Sequence, residues 1–242
     1  MADIKDEKQR LRMHIWSTME RMGITIFPRP CFGRIPNFIG SIEAAKLLCK
    51  SKEFEKAEVV FVNPDSPQRF IREIVLRQGK MLIMPTPRLK EGFLILNSDR
   101  MPRSKIRYAA TIRGAFKYGI KSILPPSKLH IDLKVVGSVA VSLDGARLGK
   151  GGGYSDLEYA ILRELELVDE TTPIITTVHP VQIVKQIPMT KHDVPIDAIY
   201  TPRDYYRIDR KYKRPKGIYW DEVSRNMIES NPILKKLRGM RL

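Results

Sequence analysis

The stretch "IDLKVVGSVAVSLDGARLGKGGGYSDLE", residues 131–158, passes from an apolar segment through a turn into a glycine-rich segment and then a helix. Residues 131–142 are the most apolar strand predicted for the chain. Asp144-Gly145 predicts the turn. A strand that leads into a helix through a glycine-rich turn is typical of α/β folds, in which ligands bind at the carboxyl ends of the strands.

The glycines of this stretch, Gly151 to Gly153, predict an anion-binding site. Glycine tolerates positive φ and leaves its amide uncovered. Successive bare N–H groups can form an anion-binding nest, and a helix N-terminus adds partial positive charge. Arg147 and Lys150 flank the glycines, where they can neutralise phosphate oxygens. On spacing alone, a glycine-rich turn that binds nothing remains the alternative.

The helix after the glycines has two polar positions of interest. Ser155 with Glu158 three residues later predicts a capping box. Asp156 lies in the first helical turn, where we expect its carboxylate to hold a magnesium ion.

Outside this stretch, strand and helix signals alternate along the chain. Such alternation indicates one domain with a parallel-dominated sheet covered by helices on both faces. Ser41 is predicted to cap a helix. Strands are predicted at residues 57–63, 80–85, 131–142, 173–179 and 196–202, helices at 3–23, 41–54, 66–79, 104–119 and 155–168, and loops at 26–41 and 120–129.

The chain is strongly basic. Its 242 residues carry 43 Lys and Arg against 27 acids, a net charge of +16. This balance favours an anionic partner such as a nucleotide or nucleic acid, although charged networks in proteins from hot environments give the same balance. Residues 203–242, here called the C-terminal extension, carry 12 Lys or Arg against 5 acids. The extension is either solvated surface, an arm packed on the domain 1–202, or an RNA contact.

Targeting signals are not evident. No run of about 18 apolar residues predicts a membrane span, and the first 16 residues lack the apolar core of a signal peptide. The two cysteines, Cys31 and Cys49, have neither metal-ligand nor disulfide spacing. We therefore expect a cytoplasmic protein with reduced thiols and no membrane contact.

Three motifs together make the sequence recognisable. "DGARLGKGGGYSD", residues 144–156, resembles the signature D-x-x-G-x-R-L-G-x-G-G-G-Y-Y-D-R of the 5-formyltetrahydrofolate cyclo-ligases. "KQRLR", residues 8–12, is similar to the N-terminal K-x-x-L-R of that family, and residues 186–202 resemble its closing motif P-x-x-x-H-D-x-x-V-D-x-I-x-T. The resemblance is greatest to the branch of methenyltetrahydrofolate synthetase domain-containing proteins.

The resemblance implies a three-layer α/β/α domain with a mostly parallel sheet, of the CoA-transferase-like type. It also implies an enzyme that uses ATP and Mg²⁺ to convert 5-formyltetrahydrofolate, or another reduced pterin, into a cyclised product such as 5,10-methenyltetrahydrofolate. In that reaction Arg147 and Lys150 would act as catalytic residues and Asp156 would support Mg²⁺. The residues expected to hold ATP are Lys8, Arg12, Gly149, Gly151, Gly152, Gly153 and Tyr154.

The sequence departs from the family pattern on the folate side. The Y-Y-D-R of the signature is here Tyr154-Ser155-Asp156-Leu157, and "GIKSILPP", residues 119–126, lacks the acid of the family's G-I-x-E-P segment. Arg88 follows a buried strand and is the candidate for substrate binding, with a solvated surface turn as the alternative. A second hypothesis is a non-catalytic nucleotide- or RNA-binding protein that keeps the fold.

Overall fold

The computed structural model describes residues 3–127 and 129–240. Residues 1, 2, 241 and 242, at the ends of the predicted segments 1–202 and 203–242, lie outside the described residues. So does residue 128 of the predicted loop 120–129. Within the described ranges, the helices are α1 Ile4–Arg21, α2 Ser41–Leu48, α3 Lys52–Lys56, α4 Arg69–Arg77, α5 Ile106–Ala109, α6 Ile112–Tyr118, α7 Tyr154–Glu164, α8 Arg225–Ser230 and α9 Pro232–Met240.

Strands form one large mixed sheet and one small hairpin. The strands are β1 Val59–Val62, β2 Met81–Pro85, β3 Phe93–Leu96, β4 Ile120–Ser122, β5 Leu133–Val136, β6 Ala140–Val141, β7 Arg147–Leu148, β8 Ile174–Thr177, β9 Ala198–Tyr200 and β10 Tyr205–Arg207. The large sheet has the order β10-β9-β8-β5-β1-β2-β3-β4, and β6 pairs with β7.

The centre of the large sheet is parallel and its edges are antiparallel. Strands β9, β8, β5, β1 and β2 run parallel, with Val60 paired to both Leu133 and Leu82. Strands β3 and β4 extend one edge and β10 the other, each antiparallel to its neighbour. The predicted mostly parallel sheet is confirmed, and the five predicted strands contain β1, β2, β5, β8 and β9.

Side chains alternate between the two faces of the sheet, as they must along a strand. On β1, Phe61 packs into a core with Tyr159 of α7. Its neighbours Val60 and Val62 point the other way, into a core with Ile71 of α4. Helices therefore cover both faces, and the predicted three-layer α/β/α architecture is confirmed.

A third cluster attaches α1 to the hairpin. Ile15, Trp16 and Met19 of α1 are buried beside Ala140 and Leu148 of β6 and β7. The N-terminal helix is thereby fixed next to the segment that leads into the glycines.

The prediction of one strand over residues 131–142 is wrong. Strand β5 ends at Val136, and β6 turns away to pair with β7 through Ala140 and Leu148. The break falls at Gly137, where an added Cβ would lie 3.0 Å from Asp65 Oδ2 and from Ile35. The chain therefore leaves the sheet at a position where a side chain would crowd Asp65 and Ile35.

Three further predictions are corrected. The helix predicted at 104–119 is divided into α5 and α6, because the side chain of Thr111 caps a new helix by accepting from Gly114 N. The predicted loop 120–129 contains the edge strand β4. Ser41 is not a cap, because α2 begins at Ser41 itself after Gly40 in a left-handed conformation.

The C-terminal extension is part of the same folded body. Its strand β10 completes one sheet edge, and Ile233, Leu234 and Leu237 of α9 join the core that contains Tyr159.

Cys31 and Cys49 are buried free thiols, and burial raises the pKa of each to about 12. None of the described helices has the length and apolarity that crossing a bilayer requires.

Candidate functional site

The glycine-rich loop, residues 149–153, lies open at the N-terminus of α7. Gly151, Gly152 and Gly153 are exposed. Gly151 and Gly153 have φ of +110° and +67°, a conformation in which a side chain is strained. The main chain of this loop is therefore accessible to a ligand.

The predicted capping box at the start of α7 is wrong. The helix begins at Tyr154 with Gly153 as its N-cap, and within the described part of the chain this end has no side-chain cap hydrogen bond. Ser155 Oγ instead donates to Asn63 Oδ1 over 3.4 Å, and Glu158 is buried against the sheet. The helix N-terminus thus keeps uncapped amides, which carry partial positive charge.

Arg147 connects the sheet to α7. Its side chain is buried, with Nη1 donating to Gly137 O over 3.1 Å and Nη2 donating to Asp156 Oδ1 over 2.7 Å. The same Asp156 oxygen accepts from Val194 N over 3.1 Å. Arg147 therefore fixes Asp156 at the N-terminus of α7, and it lies behind the loop rather than on its surface.

Helix α1 contributes two cations, of which Arg12 contacts the loop. Arg12 Nε donates to Gly149 O over 2.8 Å, and its guanidinium lies within 4 Å of where a Cβ on Gly151 would be. Burial lowers the pKa of Arg12, while Asp193 partly offsets that effect. Lys8 Nζ lies 2.5 Å from Asp193 Oδ2. Of the two basic positions of the predicted K-x-x-L-R motif, Arg12 thus reaches the predicted phosphate loop and Lys8 pairs with Asp193, which lines the adjoining cavity.

Lys150 of the loop is held by a carboxylate from another segment. Its ammonium forms an ion pair of 2.8 Å with Asp65 Oδ1, on the segment that follows β1, while the side chain remains 46% exposed. A pair this exposed is worth about 0–1 kcal/mol. Lys150 can therefore turn towards a phosphate at small cost.

A buried ionisable cluster lies beneath α7. Lys134 Nζ is 3.7 Å from Glu158 Oε2, and Asn63 Nδ2 donates to the same oxygen over 2.7 Å. Burial lowers the pKa of Lys134 to about 8 and raises the pKa of Glu158 to about 7, and in each case the partner charge opposes the shift. Lys134 Nζ has no hydrogen-bond partner among the described residues and lies 3.7 Å from the centre of the Phe61 ring.

Asp156 is the predicted magnesium ligand. Across the described residues, no group of three or more His, Cys, Asp and Glu side chains is arranged to hold a metal ion. Protein-bound Mg²⁺ commonly takes one or two carboxylates together with substrate phosphates and water. Asp156 is 20% exposed, and two donors use only part of its acceptor capacity. The residues present therefore fit a magnesium ion that is carried in with a phosphate ligand.

A cavity of about 490 Å³ opens beside the loop. Gly152, Gly153, Tyr154 and Asp156 contribute to its wall, and Arg88 reaches it from the turn after β2. Arg88 has φ of +56°, a strained conformation for a non-glycine residue. Other lining residues are Lys90, Leu157, Ala160, His192, Asp193 and, from the C-terminal extension, Pro215, Gly217, Ile218, Tyr219, Glu222, Val223, Met227, Ser230 and Asn231.

Comparison with known proteins identifies the relatives of the chain. Residues 4–202 match the 5-formyltetrahydrofolate cyclo-ligase family. The chain belongs to this family. The cyclo-ligase match covers α1, the parallel strands and the glycine-rich loop, and it ends where the C-terminal extension begins. The family predicted from the sequence motifs is confirmed.

Relatives that match almost the whole of this cyclo-ligase family member are methenyltetrahydrofolate synthase domain-containing proteins. Methenyltetrahydrofolate synthase domain-containing protein from Bos taurus is 41% identical over 236 residues, which cover 96% of this chain and 62% of that protein. The protein of the same name from Mus musculus is 42% identical over 96% of this chain and 63% of its own length. The chain thus spans about three-fifths of these relatives, and the predicted branch is confirmed.

More distant cyclo-ligases match part of the chain. The 5-formyltetrahydrofolate cyclo-ligase of Escherichia coli (strain K12) is 28% identical over 132 residues, 54% of this chain and 68% of that one. A solved structure of Aquifex aeolicus 5,10-methenyltetrahydrofolate synthetase superposes with a TM-score of 0.52 at 20% identity, covering 85% of this chain and 95% of that one. At this identity the superposition supports the fold.

The structure of this cyclo-ligase family member brings the predicted site residues to one place. Arg12 and Arg147 contact the loop that contains Lys150, Lys8 pairs with Asp193 at the adjoining cavity, and Arg88 and Asp156 line that cavity. Their functional roles remain predictions. Sequence reasoning missed the cluster of Asn63, Lys134 and Glu158, although a lysine within an apolar strand was a visible signal. The sequence left the role of the C-terminal extension open, with an arm packed on the domain as one alternative, and it did not predict that the extension lines the cavity.

Proposed function

We propose that this protein is an ATP- and Mg²⁺-dependent cyclo-ligase that converts 5-formyltetrahydrofolate, or a related reduced pterin, into its cyclised methenyl form. The observation that carries the proposal is the exposed glycine-rich loop at the N-terminus of α7, with the cations of Arg12 and Lys150 beside its glycines. Membership of the cyclo-ligase family adds the reaction class.

The loop has the properties of a triphosphate site. Bare amides of Gly151 to Gly153 and the partial positive charge of the helix N-terminus attract phosphate oxygens. Lys8 and Lys150 are paired with carboxylates at present, and each ammonium can move to a phosphate oxygen. Arg12 is already fixed against Gly149 O, so it loses little conformational freedom when a ligand binds.

The proposed reaction has two steps. The formyl oxygen of the folate attacks the γ-phosphorus of ATP, the bond from that phosphorus to the bridging oxygen breaks, and ADP leaves. N10 then bonds to the activated formyl carbon, gives up its proton, and closes the ring as the carbon–oxygen bond to phosphate breaks. Such phosphoryl transfer depends on positioning and charge neutralisation more than on a protein nucleophile.

The residues of this chain would supply that positioning. The cations around the loop hold the γ-phosphate and compensate the charge that develops on it. Asp156, fixed by Arg147, would hold Mg²⁺, which when bound adds further positive charge to the phosphates. Arg88, which also lines the cavity, would contact an anionic part of the folate.

A turnover assay tests the proposal. Full-length protein, MgATP and 5-formyltetrahydrofolate should produce the near-ultraviolet absorbance of the methenyl product, with ADP and phosphate released in equal amounts. Lys150→Ala should lower kcat/KM about tenfold, whereas the matched control Lys105→Ala, an exposed lysine before α5, should match the wild type. No product from wild-type protein that binds both ligands would contradict the proposal.

A second candidate is a non-catalytic nucleotide- or RNA-binding protein. It is favoured by exposed basic residues on the C-terminal extension, where Tyr205 is also 62% exposed and available to stack on a base. The exposed cations are Arg203, Arg207, Lys211, Lys213 and Lys216. Under this alternative the turnover assay gives no product, and single-stranded RNA binds with an affinity that falls steeply with salt.

A further inference from the structure

The cavity beside the glycine-rich loop has a wall that the cyclo-ligase family match does not include. The match ends at residue 202, yet residues 215–231 line one side of the cavity. This wall contains the apolar side chains of Ile218, Val223 and Met227 and the carboxylate of Glu222. Gly152, Gly153, Arg88 and Lys90 also line the cavity.

The wall is fixed to the domain. Ile218 is buried in the core that contains Tyr159 of α7, and its N–H donates to Glu164 Oε2 over 3.3 Å. Trp220 Nε1 donates to the other oxygen of Glu164, also over 3.3 Å. Both ends of the segment that carries Glu222 are thus anchored, by these contacts and by the core residues of α9.

Glu222 contacts the closing cyclo-ligase motif, residues 186–202. Its carboxylate accepts from Lys191 Nζ and pairs with His192 Nε2, which lies 2.7 Å away. Tyr219 stacks edge-to-face with His192 at a centroid distance of 4.9 Å. Residues 191–192 and 219–222 therefore form one connected rim of the cavity.

The Glu222 carboxylate keeps capacity for a ligand. A carboxylate offers about four acceptor positions, and the two pairs use one on each oxygen. Lys191 and His192 are about half exposed, and ion pairs this exposed are weak because water and salt screen them. A ligand with suitable donors can therefore bind Glu222 beside these partners or in place of one of them.

We propose that Glu222 is a specificity-determining residue that binds a planar heterocycle with an adjacent ring N–H and amino group. The two parallel donors of that edge match the two oxygens of a carboxylate. Ile218, Tyr219 and Val223 provide the apolar and aromatic surface against which the ring packs. This inference rests on the proposed function, in which a reduced pterin, a heterocycle with such an edge, is the substrate.

The charges in and beside the cavity distinguish the two proposed ligands, the triphosphate and the heterocycle. Phosphates are attracted to the glycine-rich loop with Arg12 and Lys150, and the Glu222 carboxylate repels them. The adenine edge presents its amino donor next to a ring acceptor, so it does not match a carboxylate. Guanine presents the same ring N–H and amino group as a pterin. The experiment therefore compares a folate with a guanine nucleotide.

Equilibrium binding to the full chain and to Glu222→Gln tests the proposal. The amide replaces one acceptor with a donor, so we expect the Kd for 5-formyltetrahydrofolate to rise about tenfold or more while the Kd for MgATP is unchanged. Glu229→Gln, an exposed acid of α8 outside the cavity, is the matched control and should bind both ligands like the wild type. Thermal unfolding of each variant should stay near the wild-type value, because Glu222 is itself on the surface.

The outcomes separate this inference from the proposed function. If Glu222→Gln turns over and binds 5-formyltetrahydrofolate like the wild type, the role of Glu222 is overturned and the cyclo-ligase proposal stands. If the wild type binds GTP but no folate, and Glu222→Gln raises the Kd for GTP about tenfold, the role of Glu222 in binding the heterocycle is supported and the cyclo-ligase proposal fails. Binding of neither heterocycle by the wild type overturns the inference.

Discussion

Lys134 and Glu158 form an ion pair in the interior of the protein, with Nζ and Oε2 3.7 Å apart between β5 and α7. Both residues are almost fully buried, and Asn63 at the end of β1 donates to the same carboxylate. The pair joins the sheet to the helix whose N-terminus carries the glycine-rich loop. Burying two charges is costly, so the pair is expected to position the helix rather than to stabilise the fold.

Removing one partner of this pair should destabilise the protein. Lys134→Met leaves the Glu158 carboxyl buried without its cation, and we expect the free energy of unfolding to fall by about 3 kcal/mol. The double variant Lys134→Met/Glu158→Leu removes both charges and should recover most of that loss. Urea unfolding of both variants measures this, and a double variant no more stable than the single one would contradict the account.

The same pair predicts a pH dependence of stability. Burial raises the pKa of Glu158 from 4.5 to about 7, so the folded protein keeps a proton that the unfolded chain releases. The resulting stabilisation is fully present below pH 4.5 and is lost as the pH rises through 7. Glu158→Gln should flatten the fall in unfolding free energy between these values. An unchanged slope in Glu158→Gln, compared with the control Glu229→Gln, would show that Glu158 does not titrate in this range.

Arg147 should not be replaceable by lysine. Its guanidinium bonds Gly137 O and Asp156 Oδ1 at once, a geometry that a single ammonium cannot reproduce. We expect Arg147→Lys to lower the unfolding free energy by about 2 kcal/mol and to weaken MgATP binding. Arg113→Lys, on the exposed surface of α6, is the control and should change neither quantity. Wild-type ATP affinity in Arg147→Lys would remove Arg147 from the positioning of the site.

Helix α1 should contribute to nucleotide affinity without carrying the fold. Lys8→Ala and Arg12→Ala are each expected to raise the Kd for MgATP about tenfold, since each removes a cation beside the loop. Lys5→Ala and Arg10→Ala are matched controls on the exposed side of the same helix. Affinities that stay at the wild-type value in both test variants, with Tm unchanged, would exclude α1 from the site.

The sequence predicted what depends on local patterns. Short apolar runs gave the parallel strands, and the motifs at residues 8–12 and 144–156 gave the family and the cations that surround the loop. What it missed depends on contacts between distant segments. Asn63 and Glu158 are 95 residues apart, and their bond forms only because β1 and α7 are adjacent in space. The edge strand β4 has only three residues, too few for periodicity to distinguish it from a loop.

The central claim is that the glycine-rich loop and its flanking cations bind a triphosphate. Calorimetric titration of MgATP into the wild-type chain and into Arg12→Ala tests it most directly. The account predicts one site per chain in the wild type, with an affinity about tenfold weaker in Arg12→Ala and unchanged in Arg10→Ala. Absence of heat and of any thermal stabilisation of the wild type by ATP or another nucleotide would contradict it.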